Sequence, residues 1–509
     1  MRNYNFIFGR YPFWMIFCIQ IFFQQNFFAD EPDTLWTKHF HYDGWEHFYS
    51  VKQTADSGFI AVGERIPFNN TSYKDVFLVK TDKEGNLLWR KLIGSNRARE
   101  YGNDIIEMKN FDNDLIIVGR YANITIPGSE EVHNALVVRI SSDGNIKWLN
   151  GFDNFGQLES AISVTPTFDD CFLLAAYNWF LKDGIFDQNI WLVKFNSLGA
   201  SLWSKEFDMG FNIHEYPAKV IQTSDSGFVV AGNINFQFAS PWHDLLLFKT
   251  DKSGNFLWKK IYGGAGYDNA ADIIQLNDGG FIISGKYRKS DGNGQLWLLR
   301  TDQYGDTLWT KTYGGDNSEW ARSMALTHDG GFIMAGVTES FGNGFWDVWI
   351  LRTDSLGNEL WSKTFGDSYP DEAYSIQQTY DGGYIIAGIY TDLSPEKSRD
   401  GYLIRLAPET ITTVKENVNT DPKSFQLSQN YPNPFNPKTV IKFQVPSSKF
   451  IKLEVYDILG REVQTLVNAP MLAGEHKVTF NGSGLPSGVY IYTLKVNEFS
   501  QSRKMLLLK

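Results

Sequence analysis

The chain has 509 residues, 43% of them hydrophobic and 16% aromatic, and a formal net charge of -11. This suits a folded protein with sizeable cores, and repeat folds exceed the usual ~100–200 residues per domain as one unit. The acidic balance, without a basic stripe or a phosphate-cradling glycine loop, argues against nucleic acid, which calls for a basic footprint.

The N-terminus reads as a secretory signal over residues 1–29. Arg2 and Arg10 flank the start, Tyr11 to Phe23 form an apolar run of 13 residues, and Ala29 offers a small residue for cleavage. The run is short against the roughly 20 residues of a membrane span, so no span is expected in the mature chain. With the signal removed, Cys171 is the only cysteine. In the apolar run Cys171-Phe172-Leu173-Leu174 it reads as a buried thiol.

Residues 30–407 repeat. Trp36, Trp89, Trp148, Trp203, Trp258, Trp309 and Trp361 recur at intervals of 51 to 59 residues, the mark of one repeated supersecondary unit. In one unit the alternation Ala321, Ser323, Ala325, Thr327 leads into a turn at Asp329-Gly330-Gly331. Phe332 to Gly336, Asp347 to Thr353 and Glu359 to Phe365 follow, the last two joined by a turn at Asp354 to Asn358. The pattern predicts four short strands, with Gly supplying positive φ in the turns and Asp or Asn bonding its own backbone. The third strand is apolar on both faces (Val348, Trp349, Ile350, Leu351), which demands a sheet on each side.

Radially packed blades meet that demand, so the fold class is all-β and the expected architecture a β-propeller. The turn before the second strand occurs seven times, at Ser57-Gly58-Phe59, Asn113-Asp114-Leu115, Asp170-Cys171-Phe172, Ser226-Gly227-Phe228, Gly279-Gly280-Phe281, Gly330-Gly331-Phe332 and Gly382-Gly383-Tyr384, giving seven blades. The seventh repeat has no Trp strand after Tyr402 to Leu406, whereas Leu35 to Phe40 is a Trp strand with no blade before it. The N-terminal strand is therefore expected to close the last blade and remove an open edge.

Function is expected on the face bearing the loops after the second and fourth strands, which vary in length and sequence, as at Arg120 to His133 and Tyr177 to Gln188. Trp45, Trp179, Phe180, Trp242, Trp320 and Trp346 lie in or beside these loops. Aromatics there could stack on sugar rings or anchor a protein partner, or simply pack on the blades. An acidic residue also precedes each innermost strand: Glu46, Glu100, Glu159, Glu215, Asp268, Glu319 and Glu372. These carboxylates could ring one mouth of the channel and hold calcium or glycan hydroxyls. The alternative, favoured because every repeat has one, is that each accepts backbone N–H bonds from its own loops. His39, His41 and His47 with Asp43 and Glu46 gather near the first blade but lack a ligand motif, so no metal centre is assigned to them. No G-x-S-x-G elbow or H-E-x-x-H helix is present, and no catalytic residue is assigned.

Residues 408–423 turn polar and read as a linker. Residues 424–509 read as a small β-sandwich, with strands at Val440 to Val445, Ile451 to Asp457, Glu462 to Leu466, Glu475 to Phe480, Gly488 to Val496 and Gln501 to Leu508.

Three phrases in this module carry a resemblance: Asn430-Tyr431-Pro432-Asn433-Pro434-Phe435-Asn436-Pro437, Val455 to Val463 with Gly460 inside it, and Leu485 to Tyr490 with Gly488 inside it. Together with Lys504 to Lys509 they closely resemble the type A C-terminal sorting domain of type IX secretion cargo, an immunoglobulin-like sandwich. The resemblance implies a Gram-negative bacterium, periplasmic transit, and passage across the outer membrane by the type IX machinery. The turn Thr81-Asp82 to Gly85-Asn86 and Trp89, repeated after Thr250, Thr301 and Thr353, resembles the tryptophan-docking repeats of quinone-dependent dehydrogenases. It has one residue fewer between Asp and Gly, and no adjacent cysteine pair accompanies it. It is also similar to the Asp-box of sialidases, whose further arginines and nucleophile have no assigned counterpart here. The chain is thus expected to be a secreted or surface-displayed module that binds a glycan or protein. A polysaccharide hydrolase or lyase and a structural surface component are the alternatives.

Overall fold

The computed structural model describes residues 27–29, 31–68, 73–94, 99–123, 132–153, 158–182, 185–210, 213–236, 243–264, 266–288, 292–392, 398–409, 411–413, 425–430, 432–446, 449–471, 474–496 and 499–508. The expected signal segment lies outside these residues except for Phe27–Ala29, which pairs antiparallel with Ile411–Thr413. Every regular element among the described residues is a β-strand. The chain divides into two compact units, Met1–Thr413 and Val414–Lys509.

In the first unit, Gly44–Gln53, Phe59–Pro67, Asp75–Thr81 and Leu87–Ile93 form an antiparallel sheet of four, and the pattern recurs through the unit. The last such sheet is made of Glu372–Gln378, Tyr384–Asp392 and Ser398–Leu406, with Thr34–Phe40 as its fourth strand. The pairing runs from Thr34 opposite Leu406 to Phe40 opposite Gly401. Third strands such as Asp75–Thr81 and Asp347–Thr353 are buried at every position, whereas fourth strands such as Thr307–Tyr313 are exposed, with only alternate residues half-buried. This matches a sheet flanked on both faces and exposed at its outer edge.

Apolar clusters sit between successive sheets. Ile60, Val62 and Leu78 of the first meet Ile105, Leu115 and Ile117 of the second. Phe48, Phe59 and Phe77 of the first likewise meet Ile385, Ala387 and Leu403 of the last. At ~1.5–3 kcal/mol for each large apolar side chain fully buried, these interfaces dominate the fold's stability.

The tryptophan period has a steric cause. Each turn before a fourth strand holds a positive-φ glycine against which the Trp of the preceding sheet lies. A Cβ on Gly254 (φ +76°) would come within 2.8 Å of Trp203, and one on Gly357 (φ +73°) within 2.9 Å of Trp309. Trp36 bears on Gly85 of the first sheet in the same way. On the opposite hairpin the turn carboxylate is clamped by a third-strand cation, as in Lys80–Asp56 (2.8 Å), Lys249–Asp225 (2.8 Å) and Arg405–Asp381 (2.6 Å).

Two expected connections are strands. Tyr177 to Gln188 belongs to a long hairpin, Phe172–Lys182 paired with Ile185–Phe195, in which Tyr177 faces Ile190 and Lys182 faces Ile185. The start and end of Arg120 to His133 also pair, Arg120 with Ala135 and Asn123 with Val132. Extending these strands satisfies backbone groups that a loop would leave to water.

The second unit has two sheets. One contains Gln426–Leu427, Lys438–Val445 and Gly474–Asn481; the other contains Glu462–Met471, Lys449–Asp457, Gly488–Val496 and Phe499–Leu507. Their shared core includes Phe435, Ile441, Phe443, Leu453, Tyr492 and Leu507.

Candidate functional site

The seven innermost strands of the first unit carry the candidate site. Each has a bulge, as at Phe48/Ser50, Gly102/Asp104 and Ala270/Asp272. The extra residue re-aims the side chains that follow it. Just before this bulge lie the predicted carboxylates. Glu46, Glu100, Glu159, Glu215, Asp268 and Glu319 are all buried. In Glu319 and Asp268 both oxygens accept from backbone donors, whereas Glu46 and Glu215 accept at Oε1, from Asp43 N–H (3.1 Å) and Met209 N–H (3.1 Å), and keep Oε2 buried without a hydrogen bond. Glu319 accepts from the Gly315 and Ser340 N–H groups (3.1 Å each), and Asp268 from those of Gly264 and Arg288 (2.7 Å each).

In the seventh sheet the residue in this environment is Asp371, not Glu372. Asp371 is fully buried and accepts from Thr391 N–H (2.7 Å) and Asp367 N–H (3.1 Å). Glu372 faces Ile389 one register step further on and bonds Tyr374 Oη (2.9 Å) and Arg322 (3.4 Å). Burial raises several of these groups against the pull of their backbone N–H bonds: Glu46 and Asp371 to about 7, and Glu215 to about 9.

The histidines expected to cluster are separated. His39 packs edge-on to Tyr390 and tilts against Tyr402, while His47 Nδ1 lies 3.1 Å from Glu64. Asp43 pairs with Arg65 at 3.1 Å. His41 instead meets Asp400 of the last sheet (3.1 Å) and Glu46 (3.6 Å), and the three offer ligand atoms within 4.8 Å of one another. This is a donor set suited to a divalent metal.

Of the predicted aromatics, the structure brings Trp320 and Trp346 together, edge to face at 5.7 Å, with Trp346 Nε1 donating to Glu339 (2.8 Å). Trp320 lines a cavity of about 460 Å³ with Tyr216, Asn233, Asn269, Lys286 and Arg322. Trp179 lies 5.9 Å from the His214 ring and lines a separate cavity of about 280 Å³ with Arg120, Tyr177 and Tyr216. Trp45 lies under Arg399, and Phe180 is half-buried on its strand. Trp242 lies outside the described residues.

Sequence reasoning missed a charged network between the innermost strands. Lys52, Asp104, Lys219 and Asp272 line a cavity of about 520 Å³. Where other repeats have Ser50, Ser163, Ser323 and Ser375 after the bulge, three repeats have Asp104, Lys219 and Asp272. These positions link neighbours: Val164 N–H donates to Asp104 (3.2 Å), Met324 N–H to Asp272 (2.9 Å) and Val51 N–H to Ser375 (3.2 Å). Lys219 cannot accept such a bond and instead donates to Asp104 at 2.7 Å. Burial opposes ionisation of Asp104, but Lys219 and Lys52 outweigh it and hold the carboxyl at about 2. The clue was a charge at a position that is Ser in the other repeats.

In the second unit, the predicted sorting residues tie the last strand to the core. Phe435 is buried, donates its N–H to Leu506 O (2.9 Å) and accepts from Leu508 N–H (2.9 Å), while Asn433 accepts from Leu506 N–H (2.8 Å). Pro432, Pro434, Asn436 and Pro437 lie along the same segment. Tyr490 donates to Pro486 O (2.8 Å), Gly460 takes positive φ in the turn after Asp457, and Gly488 begins its strand. Tyr431 lies outside the described residues.

No curated protein matches this chain. Among solved structures, a protein of unknown function from Dyadobacter fermentans is similar at TM-score 0.46 and 9% identity, covering 74% of this chain and 99% of its own. PorZ, a surface component of the type IX secretion system of Porphyromonas gingivalis, has TM-score 0.31 and 10% identity, with 89% of this chain and 69% of its own covered. The α-L-arabinanase of Penicillium chrysogenum, complexed with arabinobiose, has TM-score 0.40 and 10% identity over 75% of this chain and 98% of its own. The match with direct meaning is to a family: residues 429–508 fit the secretion system C-terminal sorting domain. That segment is a sorting domain of the type IX system, and it directs the chain to the cell surface or the extracellular space.

Proposed function

We propose that residues 30–407 are a seven-bladed β-propeller closed by Thr34–Phe40, preceded by a signal segment and joined by a linker to the sorting domain at 424–509. The propeller acts at the cell surface as a binding module for a glycan or protein ligand. The observation that carries this reading is that Trp179 and Trp320 each line a cavity beside the buried carboxylate end of the innermost strands. Half-buried aromatics in concave sites offer stacking area with little loss of side-chain entropy.

The test is binding of the purified secreted chain to a panel of glycans and cell-surface fractions, beside Trp179→Ala and Trp320→Ala. Saturable binding without turnover, weakened about tenfold or more by at least one substitution, is expected. Turnover of a polysaccharide would instead favour a hydrolase or lyase, and ordered self-assembly a structural component. Added calcium is expected to leave the melting midpoint unchanged, because the repeated carboxylates described above are buried and bonded to backbone N–H groups.

A further inference from the structure

The cavity at Trp320 is chemically unlike its neighbours. The Lys286 ammonium stands 4.7 Å from the Trp320 ring centroid and the Arg322 guanidinium 6.0 Å from it. Arg322 is engaged by Glu372 and lies over Tyr374. Lys286, by contrast, is held by no ion pair among the described residues, and its contact is with the indole face. On the same cavity, Asn233 spends its Oδ1 on Ala270 N–H (2.8 Å), which leaves its NH₂ group to donate elsewhere. The wall therefore offers one cation without an ion pair, one amide donor and one aromatic platform.

From this we infer that the cavity binds a sugar ring bearing one anionic substituent, a deepening that rests on the binding reading above. The anion pairs with Lys286, replacing a cation–π contact by a stronger charge-assisted hydrogen bond. A ring hydroxyl accepts from Asn233, and the C–H face of the ring packs on Trp320. A neutral sugar would leave Lys286 unpaired. The volume, about 460 Å³, lies in the ~300–1,000 Å³ range of small-molecule sites.

Binding of the full chain is measured calorimetrically with trigalacturonate, with a sulfated galactose oligosaccharide, and with neutral galactotriose, for the native protein, Lys286→Met and Lys83→Met, the latter an exposed lysine outside the cavity lining. Lys286→Met keeps the stem over the indole, and an unchanged melting midpoint certifies its fold. At least one anionic sugar is expected to bind tenfold or more tighter than galactotriose, to lose that margin in Lys286→Met, and to keep it in Lys83→Met. The two anionic arms separate carboxylate from sulfate as the group recognised. Equal binding of anionic and neutral sugars, or an undiminished margin in Lys286→Met, overturns the inference while leaving a binding module standing. Binding of an acidic peptide but no sugar overturns it likewise. No binding to any glycan, peptide or surface fraction overturns both.

Discussion

Glu215 illustrates what a repeated carboxylate does at the scale of one side chain. Its Oε1 accepts Met209 N–H (3.1 Å), while Oε2 is buried without a partner. Burial raises the group to about 9, against about 4.3 in an unfolded chain. The folded state therefore binds the proton more tightly. Its contribution to stability is full below about pH 4.3 and declines as pH rises towards 9. Glu215→Gln should flatten the melting midpoint between pH 5 and 9 relative to the native chain. Asp104 shows the opposite arrangement. Removing it as Asp104→Ala strands the Lys219 ammonium and frees Val164 N–H, so a loss of about 3–5 kcal/mol is expected in denaturant unfolding. Asp104→Ala combined with Lys219→Met should recover part of it.

Among elements, the tryptophan strand and its glycine turn act as a pair. Gly254→Ala forces a Cβ towards Trp203 at positive φ and should cost about 1–3 kcal/mol. The same change at Gly484, where nothing lies within 4 Å of an added Cβ, should be nearly neutral by thermal melting. This docking explains why the repeat was legible from sequence, since both partners are fixed by shape. Register was less legible. Asp371 and Glu372 are adjacent acids, and only the pairing of Ala373 with Gly388 beside the bulge shows which one turns inward. The charged network around Asp104 was hidden for the same reason, because a bulge breaks the alternation from which facing is read. The long hairpin around Tyr177 did leave a signal that went unread. The dipeptide Asp183-Gly184 in the sequence is a two-residue hairpin signal between two apolar runs.

For the whole molecule, the sorting domain sets location, and the recognition proposed above falls to the repeat unit. Deleting residues 424–509 should abolish surface display and leave the chain in the periplasm, as read by fractionation. Phe435→Asp, which places a charge in the core around Ile441 and Leu507, should do the same through misfolding of that unit alone. The strand Thr34–Phe40 has a further consequence, for the order of events in assembly. Its partner, Ser398–Leu406, is among the last parts of the unit to emerge from the ribosome. The early segment must therefore stay unpaired until nearly the whole unit has been made. Joining ends so distant in sequence costs little more than joining nearer ones, since each doubling of loop length adds only ≈ 0.6 kcal/mol. Non-local pairing nevertheless slows folding. The seam between first and last repeats is thus the step at which a nascent chain is most open to capture by a chaperone, or to trading strands with a second copy of itself.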